Sequence, residues 1–372
     1  MNIGFDAKRI FHNTTGLGNY GRDLIRILNT SFPKNTFFLY NPKPRKVDRF
    51  QLTDQTIEVQ PKGFFWKKFS SIWRQGPMVK QLLEHNIVLY HGLSGEIPKG
   101  LKKANIKSVV TIHDLIFIRY PELYSFFDRK IHFKKFQFAA SNSDKIIAIS
   151  EQTKKDIVEF LKVDPTKIEV IYQGCNNAFK KQYPQKETEQ TRIKFNLPND
   201  YILNVGTVEK RKNLLNLVKA IENSNTTLVV VGNHKSTYAE ETKAYIRSKG
   251  MKDRVLFLKN VSTEELALIY QMATIFVYPS IFEGFGIPII EALYSCTPVI
   301  TSKESCFSEA GGPDSIYIHP EDYKSIETAI QTVLENIELQ EKMKTKGYNY
   351  VQKFNDDVIA KHVFDTYKSL VS

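Results

Sequence analysis

Short apolar runs rich in β-branched and aromatic residues recur along the chain, at residues 2–7, 37–40, 87–90, 109–112, 145–149 and 168–172. Without polar alternation, such runs suit strands of a parallel sheet covered on both faces. Within residues 18–28, Leu24, Ile25 and Leu28 stand at helical spacing. After Gly174 the pattern breaks: Asn176-Asn177, Lys180-Lys181-Gln182 and Pro184-Gln185-Lys186-Glu187 have the composition of a linker. Alternation restarts with strands expected at 201–205, 227–231, 255–258, 275–278 and 298–302, and helices at 214–222, 239–248, 263–273 and 287–294. Continuous βα alternation predicts an α/β protein of two doubly wound halves, 1–178 and 179–355, with ligands received by loops at the carboxyl ends of strands.

The length agrees, since 372 residues are too many for one compact core. A chain with 42% hydrophobic and 25% charged residues is neither disordered nor fibrous. The best apolar run, 108–118, is interrupted by His113 and Asp114 and falls short of a membrane span. The first residues have no basic stretch leading into an apolar one, so no secretory signal is expected. Three separated cysteines, Cys175, Cys296 and Cys306, suit a reducing compartment. The expected location is cytoplasmic.

Charge sharpens this picture. The net charge is +12, and residues 61–140 hold 14 basic residues against 5 acidic ones. A patch of this kind suits nucleic acid, an anionic membrane or a phosphorylated small molecule, or is simply solvated. Inside it, Phe65, Trp66, Phe69, Ile72 and Trp73 recur at helical spacing with Lys67, Lys68 and Arg74 interleaved. The stretch reads equally as an interfacial helix and as a core helix with basic flanks.

Three segments carry candidate chemistry. Gly16-Leu17-Gly18-Asn19-Tyr20-Gly21 has the G-x-G-x-x-G spacing, but residues 8–15 form an extra loop between the first strand and the first glycine. The second strand ends on Asn41, where a dinucleotide fold needs an acidic residue. What remains is a glycine turn presenting N–H groups to a phosphate or sugar. In the second half, Gly206-Thr207-Val208-Glu209-Lys210-Arg211-Lys212-Asn213 places three cations where a strand's loop enters a helix. Cations there oppose the helix dipole, and a bound diphosphate would offset that cost. The strongest signal is Phe282-Glu283-Gly284-Phe285-Gly286-Ile287-Pro288-Ile289-Ile290-Glu291 after an apolar strand. Its glycines admit a ligand close to the backbone, Pro288 suits a helix's first turn, and Glu283 and Glu291 offer acceptors for sugar hydroxyls from a loop and from a helix.

Together these segments resemble the retaining GT-B glycosyltransferases of family four. Glu283 to Glu291 matches the E-x7-E motif, Gly206 to Asn213 the G-T-x-E-x-R-K-N segment, Gly16 to Tyr20 the N-terminal glycine loop, and Thr111-Ile112-His113-Asp114 the H-D element. Two positions depart from the common pattern: Gln173 precedes Gly174 where Asn is frequent, and Thr207 stands where Arg is frequent. The resemblance implies two Rossmann-like domains facing a central cleft, with the segment 356–372 crossing back to the first. It further implies that Arg211 and Lys212 hold the donor diphosphate and Glu291 the ribose. Glu283 and the backbone of Gly284, Phe285, Gly286 and Ile287 would hold the transferred sugar, and Gly16, Gly18 and Gly206 would line the donor loops. His113 would stand beside the reacting carbon. The implied reaction moves a hexose from a GDP- or UDP-linked donor to a glycan or lipid-linked acceptor with retention, in the manner of a mannosyltransferase of cell-surface polysaccharide assembly.

The chain contains no Asp-x-Asp, and His85 and His91 are not at ligand spacing. No metal or other cofactor is therefore expected, and cations would neutralise the leaving diphosphate. Nucleic acid is not an expected partner, because it leaves Glu283 and Glu291 unexplained. Peripheral contact with the inner membrane face through the basic, aromatic first domain is expected. The alternative reading is a sugar-nucleotide epimerase on the same architecture.

Overall fold

A computed structural model describes residues 1–371, which divide into two compact units. The first comprises Met1–Gly174 and Phe354 onward, the second Cys175–Lys353.

The first unit is built on seven parallel strands: β1 (Asn2–Asp6), β2 (Thr36–Tyr40), β3 (Thr56–Val59), β4 (Leu89–Gly92), β5 (Lys107–Ile112), β6 (Lys145–Ala148) and β7 (Ile168–Val170). Their order is β3-β2-β1-β4-β5-β6-β7. Phe5 of β1 pairs with Leu39 on one side and His91 on the other, so the winding reverses between β1 and β4. Ile3, Phe5, Phe37, Leu39, Leu89, Val109 and Val110 are buried, as expected of strands covered on both faces. Strand β3 is an unexpected edge strand whose polar Thr56 and Glu58 hide it in the sequence. The strand expected at 87–90 begins two residues later, because Ile87 closes a turn onto the Leu82 carbonyl after left-handed Asn86.

The expected loop 8–15 contains a short helix, Lys8–His12, before the long helix Gly16–Ser31. The stretch 64–74 breaks into two short helices, Phe64–Lys68 and Ser70–Trp73. Its side chains divide between core and surface. Trp73 is 1% exposed, donates from Nε1 to Gln81 Oε1 (2.8 Å) and joins the core, with Trp66 packed against that core. Phe64, Phe65, Phe69 and Ile72 remain exposed.

The second unit carries β8 (Ile202–Val205), β9 (Leu228–Val231), β10 (Val255–Leu258), β11 (Ile275–Tyr278), β12 (Val299–Ser302) and β13 (Ile316–Ile318). Their order, β10-β9-β8-β11-β12-β13, repeats the same reversal. The unit begins at Cys175 rather than after residue 178, because Ala178 and Phe179 are buried in it and Phe179 packs edge-on against Tyr270. The polar stretch read as linker turns into the helix Gln185–Phe195, which packs on the helix Thr263–Met272.

The final helix, Asp356–Val371, belongs to the first unit, where Phe364 stacks on Phe32 at 3.8 Å. Asp356 pairs with Arg26 at 2.8 Å, and Tyr367 Oη lies 2.6 Å from His91 Nδ1. Ser372, the last residue of the segment 356–372, lies outside the described residues.

Candidate active site

In the second unit, Gly206 leaves β8 with φ 147° and Gly232 leaves β9 with φ 149°. A Cβ on Gly232 would lie 2.0 Å from the Gly206 carbonyl oxygen. The two loops meet backbone to backbone, which only glycine allows. Lys210–Lys212 then form a 3₁₀ turn, closed by left-handed Asn213. The Asn213 side chain donates to the carbonyls of Pro279 (3.3 Å) and Pro320 (2.5 Å), and the helix Leu214–Ala220 starts beyond it. The cations thus occupy a turn of their own ahead of the helix, tied to the loop after β11 through Ile281 N–H and the Arg211 carbonyl (2.8 Å).

On that loop stands Glu283. Its Oε1 receives Arg211 Nη1 at 2.7 Å and Lys212 Nζ at 2.5 Å, with Ser280 Oγ at 2.7 Å and Tyr278 Oη at 3.1 Å. Burial alone would push this carboxyl up, but Lys212 and Arg211 outweigh it and hold it at about 2. Arg211 also donates to the Phe282 carbonyl and pairs with Glu209 at 2.6 Å. The same partners raise its already high pKa against the cost of burial.

Gly284 and Phe285 continue the loop, and Gly286, at φ 114°, caps the helix Ile287–Tyr294 with Pro288 in its first turn. Phe285 is buried, its carbonyl accepting from Cys306 Sγ at 2.9 Å. Glu291 is on this helix and part-buried, accepting from Tyr270 Oη at 3.1 Å. Burial raises it to about 7, which that one hydrogen bond does not offset. Two carboxylates on one loop and helix are therefore poised oppositely, Glu283 ionised and Glu291 titrating near neutrality.

His113, Gly16 and Gly18 belong to the first unit. His113 follows β5 with both ring nitrogens engaged. Nε2 donates to the Leu93 carbonyl at 2.9 Å, which leaves Nδ1 to accept from Gln173 Nε2 at 3.0 Å. Tyr20 packs edge-on against the ring at 4.5 Å. Burial lowers the imidazole to about 4, so it is neutral at physiological pH. Of the two glycines, Gly16 is exposed at the start of its helix. Gly18 departs from the expected anion turn. Its N–H donates to the Thr15 carbonyl and Asn13 Oδ1, and a Cβ there would lie 2.2 Å from the Asn13 carbonyl oxygen. Its lack of a side chain serves packing.

Sequence reasoning missed Tyr270, Tyr278, Ser280 and Gly232, and it noted Gln173 only as a departure. Gly232 had a visible signal, a glycine directly after an apolar run; the tyrosines looked like ordinary core. Among the described residues, no group of three or more His, Cys, Asp or Glu side chains is arranged to hold a metal. No helix among them is long and apolar enough to cross a membrane.

Two family models match the chain, one for glycosyltransferase family 4 over residues 18–179 and one for group 1 glycosyl transferases over residues 185–350. The O-antigen chain mannosyltransferase RfbU of Salmonella typhimurium is 32% identical over 252 residues, which are 67% of this chain and 65% of that protein. The O-antigen chain mannosyltransferase B of Escherichia coli is 23% identical over 395 residues, covering both chains fully. In structure, the chain is similar to a sucrose-phosphate synthase from Thermosynechococcus elongatus, with TM-score 0.80 and 22% identity over 99% of this chain and 98% of that one. It is also similar to Alr3699/HepE of Anabaena in complex with UDP and glucose, with TM-score 0.77 and 16% identity over 99% of each. At such identities the structures speak for the GT-B fold alone.

Proposed function

Since the chain belongs to the family-4 glycosyltransferases, we propose that it moves a hexose, with retention, from a GDP- or UDP-linked donor to a glycan or lipid-linked acceptor in cell-surface polysaccharide assembly. The mannosyltransferase relatives favour transfer over epimerisation.

The observation that supports the reading most is the convergence of Arg211 and Lys212 on Glu283, one loop before the helix of Glu291. Glu283 and Glu209 balance Arg211 and Lys212, and Lys210 leaves the cluster with one net positive charge, which suits a leaving diphosphate whose charge grows toward the transition state. In this reading no metal or other cofactor takes part. Glu291, whose carboxylate accepts one hydrogen bond among the described residues, accepts from the ribose hydroxyls. Glu283 and the backbone from Gly284 to Ile287 orient the transferred sugar. His113, neutral and held at both nitrogens, contributes a fixed polar surface beside the reacting carbon rather than a proton. The exposed aromatic and basic residues of the first unit bring the enzyme to the inner membrane face.

Calorimetric titration with UDP- and GDP-sugars tests the donor. One of them should bind, and a Glu291→Ala variant that still folds should bind it at least about tenfold more weakly, as expected for losing a charged acceptor. Equal affinity in the two proteins would remove Glu291 from the donor site. Mass spectrometry of products from a panel of lipid-linked acceptors then identifies the acceptor.

A further inference from the structure

The first unit contains a cavity of about 390 Å³ that none of the residues discussed above as candidates lines. It opens beside the carboxyl ends of β1 to β4, where a doubly wound sheet receives ligands. Lys8 follows β1, Lys43 and Lys46 follow β2, Ser70 and Arg74 come from the segment after β3, and Lys135 reaches in from the helix Phe126–Asn142.

Its floor is rigid. Arg74, 10% exposed at the side chain, donates from Nε to Asp6 Oδ1 at 3.0 Å and from Nη1 to Glu96 Oε2 at 2.7 Å. Lys135 closes on the same Glu96 oxygen at 3.3 Å. Arg74 and Lys135 are thus balanced by Asp6 and Glu96. The balance stops there. Among the described residues, the ammonium groups of Lys8, Lys43 and Lys46 make neither a hydrogen bond nor an ion pair. Ser70 is 1% exposed, lines the cavity, and its Oγ finds no hydrogen-bond partner. A buried hydroxyl without a partner costs about 1–3 kcal/mol, so its retention at this wall needs a reason. A second cavity of about 320 Å³ shares Arg74, Gln75, Glu96 and Lys135 with the first and adds Tyr90, Ile97 and Phe138 as well as Lys99 and Lys134, so a partly apolar chamber adjoins the cationic one.

We propose that this cavity seats a phosphate or diphosphate group of the acceptor, with Lys8, Lys43 and Lys46 neutralising it and Ser70, whose Oγ is sealed from the cavity as placed, turning about χ1 to donate to one of its oxygens. The role as acceptor site rests on the transferase reading above; the anion site itself rests on the cavity. Two sources share the chemistry, a prenyl diphosphate carrying a glycan and a soluble phosphorylated sugar.

The test uses the full chain with Arg211→Ala in every sample, which disables the competing cation of the second unit. Pyrophosphate is titrated calorimetrically into that protein and into the same protein carrying Lys43→Ala and Lys46→Ala. Both lysines are exposed, so the fold should survive, and circular dichroism checks it. The lysine variant should bind at least about tenfold more weakly, and Ser70→Ala should weaken binding as well. Equal affinity with and without the two lysines overturns the proposal. Geranyl diphosphate separates the sources: tighter binding than pyrophosphate assigns the seat to a lipid-linked acceptor, and equal binding to a soluble one. Titrating UDP and GDP into the otherwise unaltered chain keeps the two readings apart. If neither nucleotide binds while the lysines still govern pyrophosphate, the transferase reading fails and the anion site stands.

Discussion

Glu291 is a carboxylic acid raised to about 7 by burial, against an ordinary value of 4.5. The unfolded chain loses that proton first, so the folded state loses stability as pH rises from about 4.5, at about 1.4 kcal/mol per unit, and the loss levels off above about 7. Glu283 has the opposite sign. Held at about 2, it contributes stability that is present above 4.5 and is lost as acid protonates it. In the proposed site the ionised form of Glu291 accepts from ribose. Donor affinity should therefore rise between pH 6 and 8, whereas thermal stability falls between about pH 4.5 and 7 and is flat above. Glu291→Gln should flatten both profiles, melting higher than wild type at pH 8 and binding the donor more weakly. A variant whose melting temperature keeps the wild-type slope between about pH 5 and 7 would show that another group titrates there.

At the level of elements, the proposed mechanism has the 3₁₀ turn Lys210–Lys212 supply the charge that a metal would otherwise bring. Turnover should persist in EDTA, and Arg211→Ala should lower kcat by about 10²–10³, the usual effect of removing one preorganised electrostatic contact. Loss of turnover in EDTA with recovery in manganese would assign that charge to a metal. The turn is positioned by the glycine loops beside it. Gly232→Ala should destabilise the second unit by about 1–3 kcal/mol in urea unfolding, because its Cβ would meet the Gly206 carbonyl at a backbone angle that alanine avoids. Strands β8 to β12 of this unit were legible in the sequence as short, mostly apolar runs, whereas the three-residue edge strand β13, only partly buried, was not. The helix Phe126–Asn142 was not legible. Its phenylalanines fall on all sides, with Phe126 and Phe127 exposed and Phe133 and Phe136 packed on the core, so no helical stripe stands out. Glu283, Glu291, Arg211 and Lys212 were readable from spacing and residue type. Their partners Tyr270, Tyr278 and Ser280 were not, since a buried tyrosine that donates to a carboxylate looks in sequence like one that only packs.

For the molecule as a whole, the open question is where its +12 charge meets its environment. The excess over residues 61–140 coincides with side chains that the fold leaves outside. Phe64 is 84% exposed, Phe65, Phe69 and Ile72 are exposed nearby, and Lys67 and Lys68 lie between them. Phe126, Phe127 and Ile131 form a second exposed group, with Lys130 Nζ 4.4 Å from the Phe126 ring centre. The tryptophans do not belong to this surface, because Trp73 is core and Trp66 packs on it. The proposed membrane association then rests on the phenylalanines, Ile72 and the lysines. An anionic leaflet attracts each nearby Lys or Arg by about 1 kcal/mol, and aromatic rings settle at the headgroup boundary. Reversing Lys67 and Lys68 to Glu removes about 2 kcal/mol of attraction and adds the repulsion of two carboxylates, so partitioning should fall by at least roughly thirtyfold. Both side chains are exposed, so stability should not change. Co-sedimentation with phosphatidylglycerol-containing vesicles should therefore fall with added salt and fall further in Lys67→Glu/Lys68→Glu. Phe64→Ser/Phe65→Ser should weaken binding with little change in its salt dependence. Failure of the wild-type protein to sediment with anionic vesicles at low ionic strength would leave these side chains merely solvated and point to an acceptor taken from solution.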